Sequence, residues 1–364
     1  LSRLARKNIL DLAVYRPGKP IEEVQRELGL TEVIKLASNE NALGPSPAVI
    51  GVLKGAVAAV HYYPDGSCYR LREALAGFLG VDPAEIHLGN GSNEIVQQLS
   101  LAFLEPGDEA VMPVPSFPRY EPLARMMNAV PREVPLDENY TLDLEAMAAV
   151  VNRRTKLVYI CNPNNPTGTV VRKPELDRFL EILPEHCLLV LDEAYFEYVE
   201  DPAYPNGIDY VRTRPNVVVL RTFSKIYGLA GLRIGYAVAR REIVDCLERV
   251  REPFNVNSLA QEAALTALRD QDHVAALQAL NRTEKTYLYE EFSRLGLDFV
   301  PTEANFILFD AGRDEKQIFQ QMLRRGVIIR GGFGYPTKLR VTIGTRYQNE
   351  RFIQALESVL GEDE

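Results

Sequence analysis

Residues 217–235, VVVLRTFSKIYGLAGLRIG, hold the reading on which the rest of the chain turns. Val217 to Leu220 is a short, uninterrupted apolar run, the pattern of a strand buried on both faces of a sheet. Polar and glycine-rich residues follow at once, and among them stands Lys225. Outward from this stretch, similar runs recur at Glu109 to Met112, Leu157 to Cys161, Leu188 to Leu191 and Ile234 to Ala239. Between them lie amphipathic segments. Asn93 to Leu104 sets Ile95, Val96, Leu99, Ala102 and Phe103 on one helical face, and Pro174 to Leu183 does the same with Leu176, Phe179, Leu180 and Leu183. This βαβ rhythm predicts an α/β fold on a largely parallel sheet covered by helices. After about residue 250 the pattern changes to long helices, Leu259 to Leu295, then short strand-like runs at Phe306 to Phe309 and Leu339 to Ile343, and a closing helix. That change predicts a second, smaller α+β domain.

The 364 residues, 46% hydrophobic and 25% charged, suit a globular protein with ample core. A formal charge of −9 speaks against broad attraction to nucleic acid or anionic lipid. No apolar run reaches the roughly 18 residues of a spanning helix. The opening LSRLARKNILDL lacks a signal-peptide core, and Asp11 with the amphipathic pattern favours an ordinary N-terminal helix over a transit peptide, so a cytoplasmic protein is expected. Cys68, Cys161, Cys187 and Cys246 form no CxxC pair and read as reduced, mostly buried thiols. The four histidines show no ligand spacing, and no metal site is expected.

A lysine just beyond a buried strand can be partly desolvated, which lowers its pKa and makes it a usable amine nucleophile. Taken alone, Lys225 reads more readily as a surface residue at a strand end than as a nucleophile. Asp192, in LDEAY, stands at the carboxyl end of another strand, where open α/β sheets collect ligands. It would suit a cationic ring nitrogen, and equally a cap for the next helix. Residues 162–168, NPNNPTG, form a turn-rich loop, and residues 89–94, GNGSNE, open a helix whose first amides could grip a phosphate. No P-loop and no full dinucleotide fingerprint is present, so ATP and NAD are poor candidates.

Taken in order, NPNNPTG, DEAY, TFSK and then Arg233 resemble the fold-type I aminotransferases that use pyridoxal 5′-phosphate. The likeness extends over nearly the whole chain through KLASNENALGPSP, YYPDGSCYRLREAL, HLGNGSNE, EANFIL and LRVTIGT. It implies a large domain with a mostly parallel seven-stranded sheet over residues 46–252, a small α+β domain over 253–364, and an arm at 1–45 that contributes to the small domain. It also implies a homodimer with shared active sites.

The resemblance assigns roles. Lys225 would bond the cofactor and carry the proton between substrate and cofactor carbons. Asp192 would pair with the pyridine nitrogen, Asn165 and Tyr195 with the ring 3′-oxygen, and Phe117 would stack on the ring. Gly91, Ser92 and Asn93 would hold the cofactor phosphate with Thr222, Ser224 and Arg233, and Tyr63 would reach the phosphate of the neighbouring subunit. Many relatives carry Asp at position 93. Because backbone amides do most of the gripping, little loss of cofactor binding is expected from Asn. Arg340 resembles the family's carboxylate-binding arginine, and Arg330 and Tyr15 would add contacts to a substrate phosphate.

The nearest branch of the family acts on L-histidinol phosphate, with 2-oxoglutarate and glutamate as the second substrate pair, in histidine biosynthesis. An aromatic amino-acid aminotransferase on the same scaffold is the first alternative, and a threonine-phosphate-type decarboxylase the second. A non-catalytic regulator is disfavoured by the intact Lys225, Asp192 and Arg233.

Overall fold

The computed structural model describes residues 4–14 and 18–362. Its centre is a seven-stranded sheet in the order 86–89, 235–239, 217–222, 188–192, 155–161, 109–114, 130–135. All strands are parallel except Gly235–Ala239, which runs antiparallel to both its neighbours. The middle strands are buried along their whole length, as continuous apolar runs require. Alternate residues feed two cores. Leu189, Leu191, Val217 and Val219 enter one, while Leu188, Val190, Val218 and Leu220 enter the other with Ile95, Val96 and Leu99 of the helix Ser92–Phe103.

Two strands have no strong signal in the sequence. Ile86–Gly89 is only four residues long, and Val130–Pro135 is an edge strand whose prolines and mostly solvent-facing side chains break the apolar pattern. The N-terminal helix is one turn, Lys7–Leu10, tied to the helix Tyr120–Met126 through Asn8, whose Nδ2 donates to the Arg125 carbonyl at 2.8 Å.

The smaller layer is the antiparallel sheet Lys338–Thr342, Phe306–Asp310, Phe299–Val300, joined by a short parallel pair, Ile34–Lys35 with Val327–Ile328. The helices Gln271–Arg294 and Arg346–Gly361 cover it, and Phe292 stacks on Phe309 at 5.0 Å inside its core. The preceding helix Ser258–Arg269, grouped with the small domain on sequence pattern, packs Ala260, Ala263 and Ala264 into the core that holds Leu71 and Leu75. Alanines permit that close approach without any break in helical period to announce it.

Candidate active site

Parallel strands leave a crevice at their carboxyl ends, and here the small layer roofs it. The resulting cavity of about 1050 Å³ is lined by the ends of the central strands, by Ala37 to Asn39, and by Arg330 to Phe333 with Arg340. Lys225, Asp192, Tyr195, Asn165 and Phe117 all face it, as do Ser92, Asn93, Thr222, Ser224 and Arg233.

Asp192 closes the strand Leu188–Asp192 and is 4% exposed. Its Oδ2 accepts from the Tyr120 hydroxyl at 2.6 Å. Its Oδ1 is buried with no hydrogen-bond partner among the described residues. Burial drives its carboxyl pKa above the ordinary range, against the pull of the Tyr120 hydrogen bond. Lys225, in the loop after the strand Val217–Thr222, donates from Nζ to the Ser38 carbonyl at 3.2 Å. Burial, helped by the positive charge of Arg340, pulls its pKa down to about 8. Facing the same cavity, an acid and an amine are thus both biased toward their neutral forms.

The anion cradle is built by backbone. Gly91 precedes the helix Ser92–Phe103 with φ +81°, a left-handed conformation that glycine adopts without strain. A Cβ there would come within 2.5 Å of Arg233 Nη2, so the absence of a side chain lets the guanidinium lie against the helix start. Arg233 donates to the Ala230 carbonyl at 2.9 Å and lies 3.4 Å from Ser224 Oγ. Thr222 Oγ1 accepts the Ser224 amide at 3.1 Å, which orients that loop. The helix dipole, the amides of Ser92 and Asn93 and the Arg233 charge act together on an anion placed here. The Asn93 side chain is occupied elsewhere: its Oδ1 accepts from Arg119 Nε at 3.3 Å.

Tyr195 is buried, and its hydroxyl accepts from Asn39 Nδ2 at 2.9 Å and lies 3.4 Å from Asn165 Nδ2. Burial keeps this phenol neutral by pushing its pKa upward. Asn165 Oδ1 in turn accepts from Arg340, whose other terminal nitrogen donates to the Ala37 carbonyl at 2.7 Å. Arg340 and Arg330 face each other in an antiparallel bridge, Arg330 N to Arg340 O at 3.0 Å and Arg340 N to Arg330 O at 2.7 Å. Residues so paired carry their side chains on one face.

Two expected residues are not among those lining the cavity. Tyr63 is 82% exposed, stacked on Phe254 at 4.8 Å and outside the cavity wall of this chain. Tyr15 lies outside the described residues, although Ala13, Val14 and Gly18 on either side line the cavity. Two contributors went unassigned in the sequence, Tyr120 and Asn39. Asn39 sits inside a quoted segment and Tyr120 outside all of them, and their roles arise from contacts 156 and 72 residues away.

These residues fit pyridoxal phosphate. Asp192 Oδ1 needs a donor such as a protonated ring nitrogen, Lys225 supplies an amine that is easily made neutral, and the Gly91 to Arg233 cradle suits a phosphate. Among the described residues no cluster is arranged to hold a metal ion, and no helix is long and apolar enough to cross a membrane.

A seven-stranded sheet whose carboxyl edge carries lysine, aspartate and an anion cradle defines an enzyme that acts on amino groups through a bound aldehyde. Residues 31–356 match the family described as aminotransferase class I and II, and the chain belongs to that family. Among its relatives, a histidinol-phosphate aminotransferase of Moorella thermoacetica is 55% identical over 98% of this chain and 92% of its own length. Another, from Carboxydothermus hydrogenoformans, is 52% identical over 98% of this chain and 99% of its own. The crystal structure of the Sinorhizobium meliloti histidinol-phosphate aminotransferase in complex with pyridoxal-5′-phosphate superposes with a TM-score of 0.89 at 29% identity, covering 97% of this chain and 96% of that one.

Proposed function

We propose that this chain is a pyridoxal-phosphate-dependent transaminase that moves the amino group of L-histidinol phosphate to 2-oxoglutarate, giving imidazole acetol phosphate and glutamate in histidine biosynthesis. The observation that carries the substrate class is the Arg330–Arg340 bridge, which brings two guanidinium groups to the same cavity wall. Two arginine forks suit a phosphate dianion in one half-reaction and a carboxylate in the other. The names of the relatives point to the same substrate.

Bound pyridoxal phosphate supplies a carbonyl carbon that takes up an amino group and a ring that draws electrons from the substrate Cα. In this reading Lys225 Nζ would hold that carbonyl carbon and would serve as the base and acid for the substrate Cα proton. Asp192 Oδ1 would accept from the ring nitrogen, Tyr195 and Asn165 would hydrogen-bond the ring oxygen, and Phe117 would cover the ring face. Since Asn165 also accepts from Arg340, substrate anion and ring oxygen are held by one connected set of hydrogen bonds.

The same reading places Tyr63 in the active site of a second copy. Val57, Val60, Tyr62 and Tyr63 are all exposed, an apolar surface that supports a homodimer.

Single-turnover mixing tests the assignment. L-histidinol phosphate should bleach the visible colour of the cofactor-loaded protein at lower concentration than L-phenylalanine, with the aminated cofactor as product. Preference for phenylalanine would move the chain to the aromatic branch, and release of carbon dioxide without a keto product would make it a decarboxylase.

A further inference from the structure

Glu193, next in the chain after Asp192, points to the opposite side of the sheet. Side chains alternate along a strand, so Asp192 shares the face of Leu188 and Val190 while Glu193 continues that of Leu189 and Leu191. On the adjacent parallel strand, Thr222 faces the cavity and Arg221 turns away, following Val217 and Val219. The two residues that turn away meet behind the site.

Glu193 and Arg221 are 2% and 4% exposed. Glu193 Oε2 accepts from Arg221 Nε at 2.9 Å and Nη2 at 2.8 Å, and Oε1 accepts the Gly207 amide at 2.8 Å. Arg221 Nη2 also donates to Asn206 Oδ1 at 2.8 Å, and its guanidinium lies 3.4 Å from the centre of the Phe196 ring. A Cβ on Gly207 would stand 2.6 Å from Glu193 Oε1, so the close approach of that helix start requires glycine. Burial pushes the Glu193 carboxyl above its ordinary range, against three donors and the permanent charge of Arg221, all of which favour its ionised form.

A buried ion pair of this kind is weak evidence for stability, since a well-packed apolar pair of similar volume often serves as well. What the pair does uniquely is tie residue 193 to residue 221. One residue before Glu193 is Asp192, one residue after Arg221 is Thr222, and Lys225 follows three residues later. We propose that Glu193 and Arg221 are a positioning couple that fixes the separation and aim of the Asp192 carboxylate and the Lys225 amine across the cavity. Neither residue touches a reacting atom, and the couple acts through the two strand ends. This rests on the cofactor assignment above.

The test compares Glu193→Gln, Arg221→Lys and the charge-free pair Glu193→Leu/Arg221→Met in the pyridoxal-phosphate-loaded protein. A misaimed site with intact packing costs about 10- to 100-fold in rate. The double variant is therefore expected to unfold within a few degrees of the parent. Its single-turnover rate at saturating histidinol phosphate should fall by about that factor, with half-saturation nearly unchanged. The pH midpoint of the visible band of its bound cofactor should also shift, because Asp192 and Lys225 set that midpoint. Arg221→Lys, which keeps the charge and loses the fork, should show the same two changes in smaller degree. A double variant that keeps the parent's rate and midpoint overturns the couple, as does one that merely melts lower. The midpoint needs only pyridoxal phosphate and no amino donor, so a wrong substrate assignment would leave this part of the test standing. If Glu193→Gln does not fold, the double variant and Arg221→Lys decide the matter by themselves.

Discussion

Asp192 and Glu193 are neighbours in the chain, both carboxylates, both buried at the end of one strand. On the cavity side Asp192 has one oxygen bonded to Tyr120 and the other left open. On the far side Glu193 has both oxygens engaged by Arg221 and Gly207. Native proteins rarely leave a buried acceptor unpaired, and this open oxygen, on a residue that lines the cavity, is where a donor on a bound ligand fits. The closed one marks where the fold holds itself together. Contact with the ligand and bracing of the site are thus divided between two faces of a single strand end, and the division can be tested from either side.

The largest effect belongs to the cavity side. Lys225→Ala removes both the amine and the proton carrier, and transamination should fall by at least ~10⁴-fold, because proton transfer alone is worth about 10²–10⁴. The fold should be retained, since Lys225 has no ion pair among the described residues and a single hydrogen bond to a carbonyl. Single-turnover bleaching together with a melting curve checks both halves.

Next comes the crossing of the two carboxylates. Asp192→Asn should lower the single-turnover rate about 10²–10³-fold, the usual worth of one preorganised electrostatic contact, while leaving the unliganded protein at least as stable. Glu193→Gln should do the reverse in stability, costing about 3–5 kcal/mol by leaving the Arg221 charge uncompensated in the interior. Denaturant melts of both unliganded variants measure this. If the two lose equal stability, the division between faces is wrong.

A third effect sharpens the comparison inside the cavity. Gly91→Ala places a side chain at φ +81° and within 2.5 Å of Arg233 Nη2. With ψ 158° this backbone region is open essentially to glycine alone and costs a residue with Cβ about 1–3 kcal/mol; since the Cβ also displaces Arg233 from the cradle, affinity for pyridoxal phosphate should weaken about tenfold or more, read by titrating the unliganded protein. Pyridoxal, which lacks the phosphate, should bind parent and variant nearly alike.

The two faces differ also in how far the sequence announced them. Lys225, Asp192, Asn165 and the Gly91 to Asn93 turn stand in short local patterns, strand end, loop or helix start, whose roles come into view only through the resemblance to a known family. The central strands are legible directly: burial on both faces writes itself as an apolar run. The strand Val130–Pro135 is not legible, because an edge strand with prolines and exposed side chains resembles a loop. Nor is the docking of Ser258–Arg269, whose alanines carry no signal of which core they enter. Tyr120 and Asn39 escape notice because a hydrogen bond across 72 or 156 residues has no local pattern at all. Glu193 and Arg221 lie inside the two most informative motifs, yet their partnership depends on strand pairing that only the folded sheet supplies.

The smallest effect follows from the burial of Lys225. Lys225 has its pKa lowered to about 8 from an ordinary 10.5. In the unfolded chain the amine keeps its proton up to the ordinary value, so between about 8 and 10.5 the native state binds fewer protons than the unfolded one. Stability of the unliganded protein therefore carries the full cost of the buried charge below pH 8 and recovers as pH rises through that window. Capture of pyridoxal phosphate needs the neutral amine, so its rate should rise about fivefold from pH 7 to 8 and level off above about 9. Stopped-flow mixing of unliganded protein with cofactor would show the curve. A rise that continues unchanged past pH 10 would mean that the amine is solvated like any surface lysine, and the contrast between an open cavity face and a closed, paired rear face would then lose its electrostatic half.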